Sequence, residues 1–295
     1  MKDALTLAID AGGTYFKAAL ITAGGEICPE SRRRYRVDSE GSAESIHAAY
    51  RGLIREQLRT AADLELTVGT VVVDTPGPFD FAGGRSLMQH KFQAICGIPL
   101  IPWIREEAGE LPVHFLHDST AFLLGEHWKG NLQGFSDAAG VMLGTGLGFA
   151  YMQGGEVQLN PTGGPACSLF RSPYGSGTAE DAVSRRGILR RYCERAADAC
   201  PALDVADIAG LAGEGEPAAL LTFAETGRML GEILLPVLRE KGSRALAVGG
   251  QISKAWPYFG QSLQEALAPA GLERIAPSAD PDDAHFFGCA WQARK

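Results

Sequence analysis

Leu5-Thr6-Leu7-Ala8-Ile9 is an apolar run that stops on an acid, Asp10, and the tight turn Ala11-Gly12-Gly13-Thr14 follows it. Tyr15 to Thr22 predicts the returning strand, and Ala23-Gly24-Gly25 turns again into a third strand ending near Val37. Two glycine turns in succession between apolar runs predict an antiparallel meander. From Ser42 to Ala62 the period changes. Ile46, Ala49, Tyr50, Leu53, Ile54 and Leu58 recur at helical spacing, with Ser42 placed to cap the helix. Val68 to Val73 is short, apolar and bounded by glycine and proline, the pattern of a buried parallel strand, and it stops at Asp74-Thr75-Pro76-Gly77-Pro78. Val113 to Leu116 predicts another strand, and Asp118 to Trp128 the helix after it.

The same order then recurs. Ala138 to Leu143 predicts a strand, Gly144-Thr145-Gly146-Leu147-Gly148 a glycine turn, Phe149 to Met152 the return, and Gly154-Gly155 a second turn. Long helices over Glu180 to Ala197 and Pro217 to Lys241 precede a strand, Ala245 to Val248, that runs into Gly249-Gly250. The two openings lie about 130 residues apart. Such a duplication predicts two similar domains facing each other across a cleft. The final segment, Asp282 to Lys295, has Ala284, Phe287, Ala290 and Trp291 at helical spacing.

Composition narrows the class. Of 295 residues, 45% are apolar and 21% charged, the balance of a globular chain with a substantial core. The net charge of −8, with no basic run longer than Arg32-Arg33-Arg34, argues against nucleic acid as a partner. No segment has the ~18 consecutive apolar residues of a membrane span, and the N-terminus lacks a leader pattern. The six cysteines form no CxxC pair and are expected to be thiols, which places the chain in the cytoplasm.

Four stretches carry chemistry. In Asp10-Ala11-Gly12-Gly13-Thr14, glycines without Cβ let successive amides converge on a phosphate, Thr14 adds a hydroxyl, and Asp10 can hold Mg²⁺ through water. An ordinary hairpin turn satisfies the same pattern. Gly144-Thr145-Gly146-Leu147-Gly148 is neither GxGxxG before a helix nor a Walker loop, yet it stands at the equivalent place in the second half. Two such turns predict one nucleotide gripped from both sides. Gly249-Gly250 offers a flat step against which an adenosine can lie. His117-Asp118-Ser119-Thr120 stands where a strand meets a helix. There Asp118 is either an N-cap or a general base for a substrate hydroxyl, and the two glycine turns favour the base.

Taken in order, Ile9 to Thr14, Pro76-Gly77-Pro78, His117 to Glu126, Leu143 to Gly148 and Val248-Gly249-Gly250 resemble the motifs of the ROK family of repressors and sugar kinases. The resemblance spans nearly the whole chain. It implies an α/β, two-domain, actin/hexokinase-like (ribonuclease H-like) fold with an interdomain cleft. The domains would be 1–117 and 118–281, with the C-terminal helix 282–295 a candidate to join the first. It implies ATP and Mg²⁺ as cofactors, a sugar as the small-molecule partner, phosphoryl transfer to a hexose hydroxyl, usually the 6-OH, and a homodimer. On its terms Asp118 is the catalytic base. Asp10, Gly12, Gly13, Thr14 and Lys17 with Gly144, Thr145, Gly146, Gly249 and Gly250 bind ATP, and Gly77, His90, His117 and Glu180 bind the sugar.

The departures are specific. His117-Asp118-Ser119-Thr120 replaces the family's Asn-Asp-Ala-Asn, which puts His117 on the sugar. The Glu-x-Gly-His segment falls on Gly164 to Phe170 without its Glu or His, and Arg171 to Glu180 lacks the zinc cysteines, so no structural zinc is expected. Polyphosphate as donor, an N-acetylated hexosamine as acceptor, and a sugar sensor without chemistry are the alternatives. A family repressor would carry its helix-turn-helix ahead of a first loop that here begins at residue 10.

Overall fold

The structure, a computed structural model, describes residues 4–89, 91–196 and 203–294. It divides into two compact units. Met1–Gly130, Leu159–Ala166 and Asp282–Lys295 form the first, and Asn131–Gln158 and Cys167–Pro281 the second. The first unit thus runs through the expected boundary at 117 and takes in both the helix that starts at Asp118 and the C-terminal helix.

The first unit is built on five strands: β1 (Leu5–Ala11), β2 (Tyr15–Ile21), β3 (Arg33–Arg36), β4 (Val68–Thr75) and β5 (Val113–His117), in the order β3-β2-β1-β4-β5. The meander is antiparallel, while β4 and β5 add in parallel. The second unit repeats the plan with β6 (Ala138–Leu143), β7 (Leu147–Gln153), β8 (Glu156–Val157), β9 (Ala245–Gly249) and β10 (Arg274–Pro277), in the order β8-β7-β6-β9-β10. The duplication read from the glycine turns is therefore a duplication of topology. Each unit has its own core, one around Leu7, Ile9, Phe16, Leu53 and Val73 and the other around Val141, Phe149, Phe223, Leu246 and Phe259.

The helix Ala43–Asp63 is capped as expected, Ser42 Oγ accepting the Ser45 amide at 3.2 Å. The single helix expected over Glu180 to Ala197 is instead two, Ala179–Val183 and Arg185–Arg195, parted at an extended Ser184; Ala197 lies outside the described residues. The break frees the Arg185 amide to donate to Gly144 O at 2.9 Å. Cys28, Cys96, Cys167 and Cys289 are thiols, whereas Cys193 is disulfide-bonded, which departs from the expectation of six thiols. Among the described residues no helix is long and apolar enough to cross a membrane.

The helix Asp118–Lys129 meets the C-terminal helix Pro281–Gln292 through two glycines. A Cβ on Gly125 would lie 1.8 Å from Ala284 O, and one on Gly288 1.8 Å from Ala121 O. Backbone against backbone leaves no side chain to yield. Gly125→Ala is expected to cost about 1–3 kcal/mol through overpacking, read as a lower melting temperature. An unchanged melting temperature would mean that the two helices do not touch there.

Candidate active site

The ends of three neighbouring strands of the first unit gather the charged residues. Parallel pairing sets Asp10 of β1 beside Asp74 of β4, and Thr75 beside His117 of β5, with Asp118 next in the chain. The carboxyl ends of parallel strands are where α/β proteins bind ligands, because the strand ends leave a crevice there.

Asp118 is the first residue of its helix. The N-cap is His117, so the capping role considered for Asp118 belongs to its neighbour. His117 Nδ1 lies 2.8 Å from Asp118 Oδ1, which also accepts the Ser119 amide at 2.6 Å. The same Nδ1 also lies 3.2 Å from the Ser119 amide and 2.9 Å from Ser119 Oγ, so His117, Asp118 and Ser119 form one compact cluster at the helix start. Burial pushes the Asp118 carboxyl up, but the His117 imidazole, His285 and the Ser119 amide outweigh it and bring it down to about 2. With 24% of the side chain exposed, the carboxylate is fixed in orientation yet reachable.

His117 is backed by Gly77, where a Cβ would lie 3.3 Å from the ring's Nε2 and Cδ2. Its other neighbour is Phe81, with ring centroids 5.8 Å apart. Phe81 in turn holds the 159–166 loop: its amide donates to Thr162 O at 3.1 Å, and Gly163 packs against its side chain. Asn160 Oδ1 accepts amides from Thr162 and Gly164 and so shapes that loop from within. Phe81 therefore carries the 159–166 loop, whose last residues, Gly164 to Ala166, begin the segment where the resemblance looks for acceptor contacts, to the neighbourhood of His117.

Lys17 Nζ sits 3.4 Å from Asp10 Oδ2 and 2.7 Å from Asp282 Oδ1. Burial would lower its pKa, but Asp10 and Asp282 more than offset this and raise it. Expected on the nucleotide, Lys17 is placed on these two carboxylates. Beneath Asp10, the fully buried Asp74 accepts from His285 Nδ1 at 3.1 Å and from Cys289 Sγ at 3.4 Å. Burial pushes the Asp74 carboxyl up against the pull of His285, while Asp74 raises His285 despite the imidazole's own burial. Ligand atoms of Asp10, Asp74 and His285 lie within 4.8 Å of one another. Asp74 is committed to His285 and Cys289, which leaves Asp10, with 15% of its side chain exposed, as the oxygen that fits a hydrated Mg²⁺.

In the second unit, Gly144, Thr145 and Gly146 form the bend between β6 and β7, closed by the Gly144 amide on Gly146 O at 3.1 Å. Gly250 has φ +79, and a Cβ there would strike Leu143 O at 2.2 Å. A glycine is thus required at 250 on steric grounds alone, and it brings the Gly249-Gly250 step against the end of β6. Glu180 Oε2 accepts the Leu147 amide at 3.1 Å, and Glu180 Oε1 pairs with Arg186 at 3.1 Å. The residue expected on the sugar is placed on this glycine turn. Glu180→Ala is accordingly expected to loosen the turn and raise KM for ATP. An unchanged KM for ATP with a raised KM for sugar would move Glu180 to the acceptor.

His90 lies outside the described residues. Asp74, His285 and Asp282 are the members of this neighbourhood that sequence reasoning did not select. Asp74, an acid inside an apolar strand, is the one that carried a signal.

With this geometry in view, comparison with known proteins is specific. The ROK family model matches residues 6–166, more than half of the chain. An N-acetylmannosamine kinase of Escherichia coli (strain ATCC 8739) is 26% identical over 268 residues, 86% of this chain and 85% of that protein. A ROK family glucokinase from Streptomyces griseus, solved in complex with glucose and AMPPNP, superposes with TM-score 0.79 at 22% identity, covering 98% of this chain and 99% of that one. A ROK family transcriptional regulator, a homologue of the E. coli MLC protein, gives TM-score 0.84 at 22% identity, over 98% of this chain and 78% of that one. The α/β architecture is that of the actin/hexokinase-like ROK sugar kinase structures. The chain belongs to the ROK family.

Proposed function

We propose that this chain is an ATP-dependent carbohydrate kinase that transfers the γ-phosphoryl group to the 6-hydroxyl of a hexose or an N-acetylated hexosamine, with Asp118 as the base. The observation that carries this reading is the Asp118 carboxylate, held by His117 and the Ser119 amide just past the end of β5, in the same sheet whose β1 ends on Asp10.

The sugar oxygen gives its proton to Asp118 and bonds to the γ-phosphorus while the bond from that phosphorus to the ADP oxygen breaks, the electron pair leaving with ADP. A carboxylate held near pKa 2 is a weak base but is ionised throughout the working range. The transition state is loose, so orienting the hydroxyl matters more than the strength of the base. Each glycine turn, at 12–14 in the first unit and at 144–146 in the second, offers backbone amides of the kind that bind phosphate. Mg²⁺, when bound at Asp10, would neutralise phosphate charge. Lys17 and Asp282 hold Asp10 in place.

The acceptors to try first are N-acetylmannosamine and glucose, after the relatives named above. The test is ADP release with ATP, Mg²⁺ and a panel of sugars, the phosphorylated position being read by NMR. Sugar-dependent ADP release supports the kinase. The likeness to a transcriptional regulator favours one rival, a sugar sensor without chemistry, which would bind a sugar and release no ADP.

A further inference from the structure

We propose that Lys91 is a phosphate-binding residue of the donor site, its ammonium completing the first glycine turn for the terminal phosphates of a phosphoanhydride. This rests on the reading of Asp10–Thr14 as the donor loop.

The turn at Gly13 is laced to a second segment of the first unit. The Ser39 amide donates to Gly13 O at 3.3 Å, and the Phe92 amide to Ser39 O at 2.7 Å. Phe92 is 2% exposed in left-handed backbone (φ 51), with its ring 6.1 Å from Phe16, which anchors the residue after Lys91 in the core. Lys91 is thereby brought onto the turn. A Cβ on Gly13 would lie 3.5 Å from Lys91 Cδ, 3.8 Å from Lys91 Cε and 3.5 Å from Ser39 Oγ. A cavity of about 480 Å³ opens beside it, lined by Ser39, Glu40, Lys91, Gln93 and Ala94.

The charges around the turn decide between its two lysines. Lys17 is engaged by Asp10, whose side chain is 15% exposed, and by Asp282, and leaving them would strip Asp10 of its counter-charge. Lys91 makes no ion pair or hydrogen bond among the described residues. It is the uncommitted cation beside the glycines. The cavity wall also carries one acid, the exposed Glu40, so it is no general anion sink. Glycine amides are neutral donors, whereas the γ-phosphoryl group gathers charge on its equatorial oxygens in transit. A lysine supplies a point charge for them. A nucleoside triphosphate and an inorganic polyphosphate share this chemistry, and the experiment separates them.

The full-length protein and its Lys91→Met, Lys91→Arg and Gly13→Val variants are titrated calorimetrically, without sugar, with the Mg²⁺ complexes of ATP and tripolyphosphate and with AMP. Lys91→Met is expected to weaken ATP by about 10-fold or more, the scale of a lost hydrogen bond to a charged group, to weaken tripolyphosphate alike if that donor binds, and to leave AMP unchanged. Lys91→Arg should retain most of the ATP affinity, and the KM for sugar should not move. Equal weakening of AMP would overturn the proposal by placing Lys91 on the adenosine. If Lys91→Met binds ATP like wild type while Gly13→Val does not, Lys91 is excluded and the turn stands. If neither variant loses ATP, the donor-loop reading falls with it.

Discussion

Asp118→Asn is expected to lower kcat by about 10²- to 10⁴-fold, the range typical of a lost general base, with KM for sugar and melting temperature close to wild type. The amide keeps the length and the helix position of the carboxylate. Its oxygen can still accept from the Ser119 amide, and the side chain can stay beside His117 Nδ1, the two contacts that orient residue 118 now. What disappears is the capacity to take a proton. Because the carboxyl is held near pKa 2, it is ionised well below neutrality, so Asp118 contributes no acid limb to the wild-type pH–rate profile between pH 5 and 8. A variant that phosphorylates sugar at the wild-type rate would remove Asp118 from the reaction. An acid limb that vanishes with Asp118→Asn would mean its carboxyl titrates far above where the geometry places it.

His285→Leu is expected to be the most destabilising single change in the first unit, costing about 3–5 kcal/mol, as when one partner of a buried ion pair is removed. Asp74 has no exposed surface, and its charge is answered by His285 at 3.1 Å and only weakly by Cys289. With His285 gone, Asp74 must take up a proton or stay charged in an apolar strand. The paired change Asp74→Asn with His285→Leu removes the orphan charge and is expected to recover part of the loss. Chemical denaturation of the two single variants and the double closes the cycle. Additive losses would show that the two side chains do not interact.

The same pair sets a sign for pH. The folded imidazole titrates above its unfolded value because Asp74, Asp10 and Asp118 favour its charged form more than burial opposes it. Its contribution is therefore fully present below about pH 6.5, the ordinary histidine value. It is lost as the pH rises through the raised value of the folded state. The His285→Leu variant should lose less stability than wild type over that alkaline interval.

The site was legible in the sequence to an uneven degree. Asp10, Gly12, Gly13, Gly144, Gly146 and Asp118 announce themselves because each stands where an apolar run ends, and chain punctuation is a local property. The helices Ile101–Ala108 and Trp256–Leu267 and the strand Arg274–Pro277 did not, being short or weakly patterned. Glu180 was matched by motif to the sugar. Its carboxylate lies on the Leu147 amide, a contact across 33 residues that no local pattern encodes. The broken helix at Ser184 is of the same kind, since it goes with a bond from the Arg185 amide to Gly144 O, 41 residues away.

By itself the sequence determined the strands around the glycine turns, the long helices Ala43–Asp63 and Pro217–Lys241, the repeated strand–glycine–strand order and the position of Asp118 where a strand gives way to a helix. These follow from periodicity and from the conformational freedom of glycine, which act over a few residues. Only the tertiary structure decided that Asp74 is neutralised by His285, 211 positions away, that Lys17 serves two carboxylates, and that Lys91 rests on the Gly13 turn. A buried charge is stable only beside its counter-charge, and which residues meet inside a core depends on how the strands and helices assemble, not on their spacing along the chain.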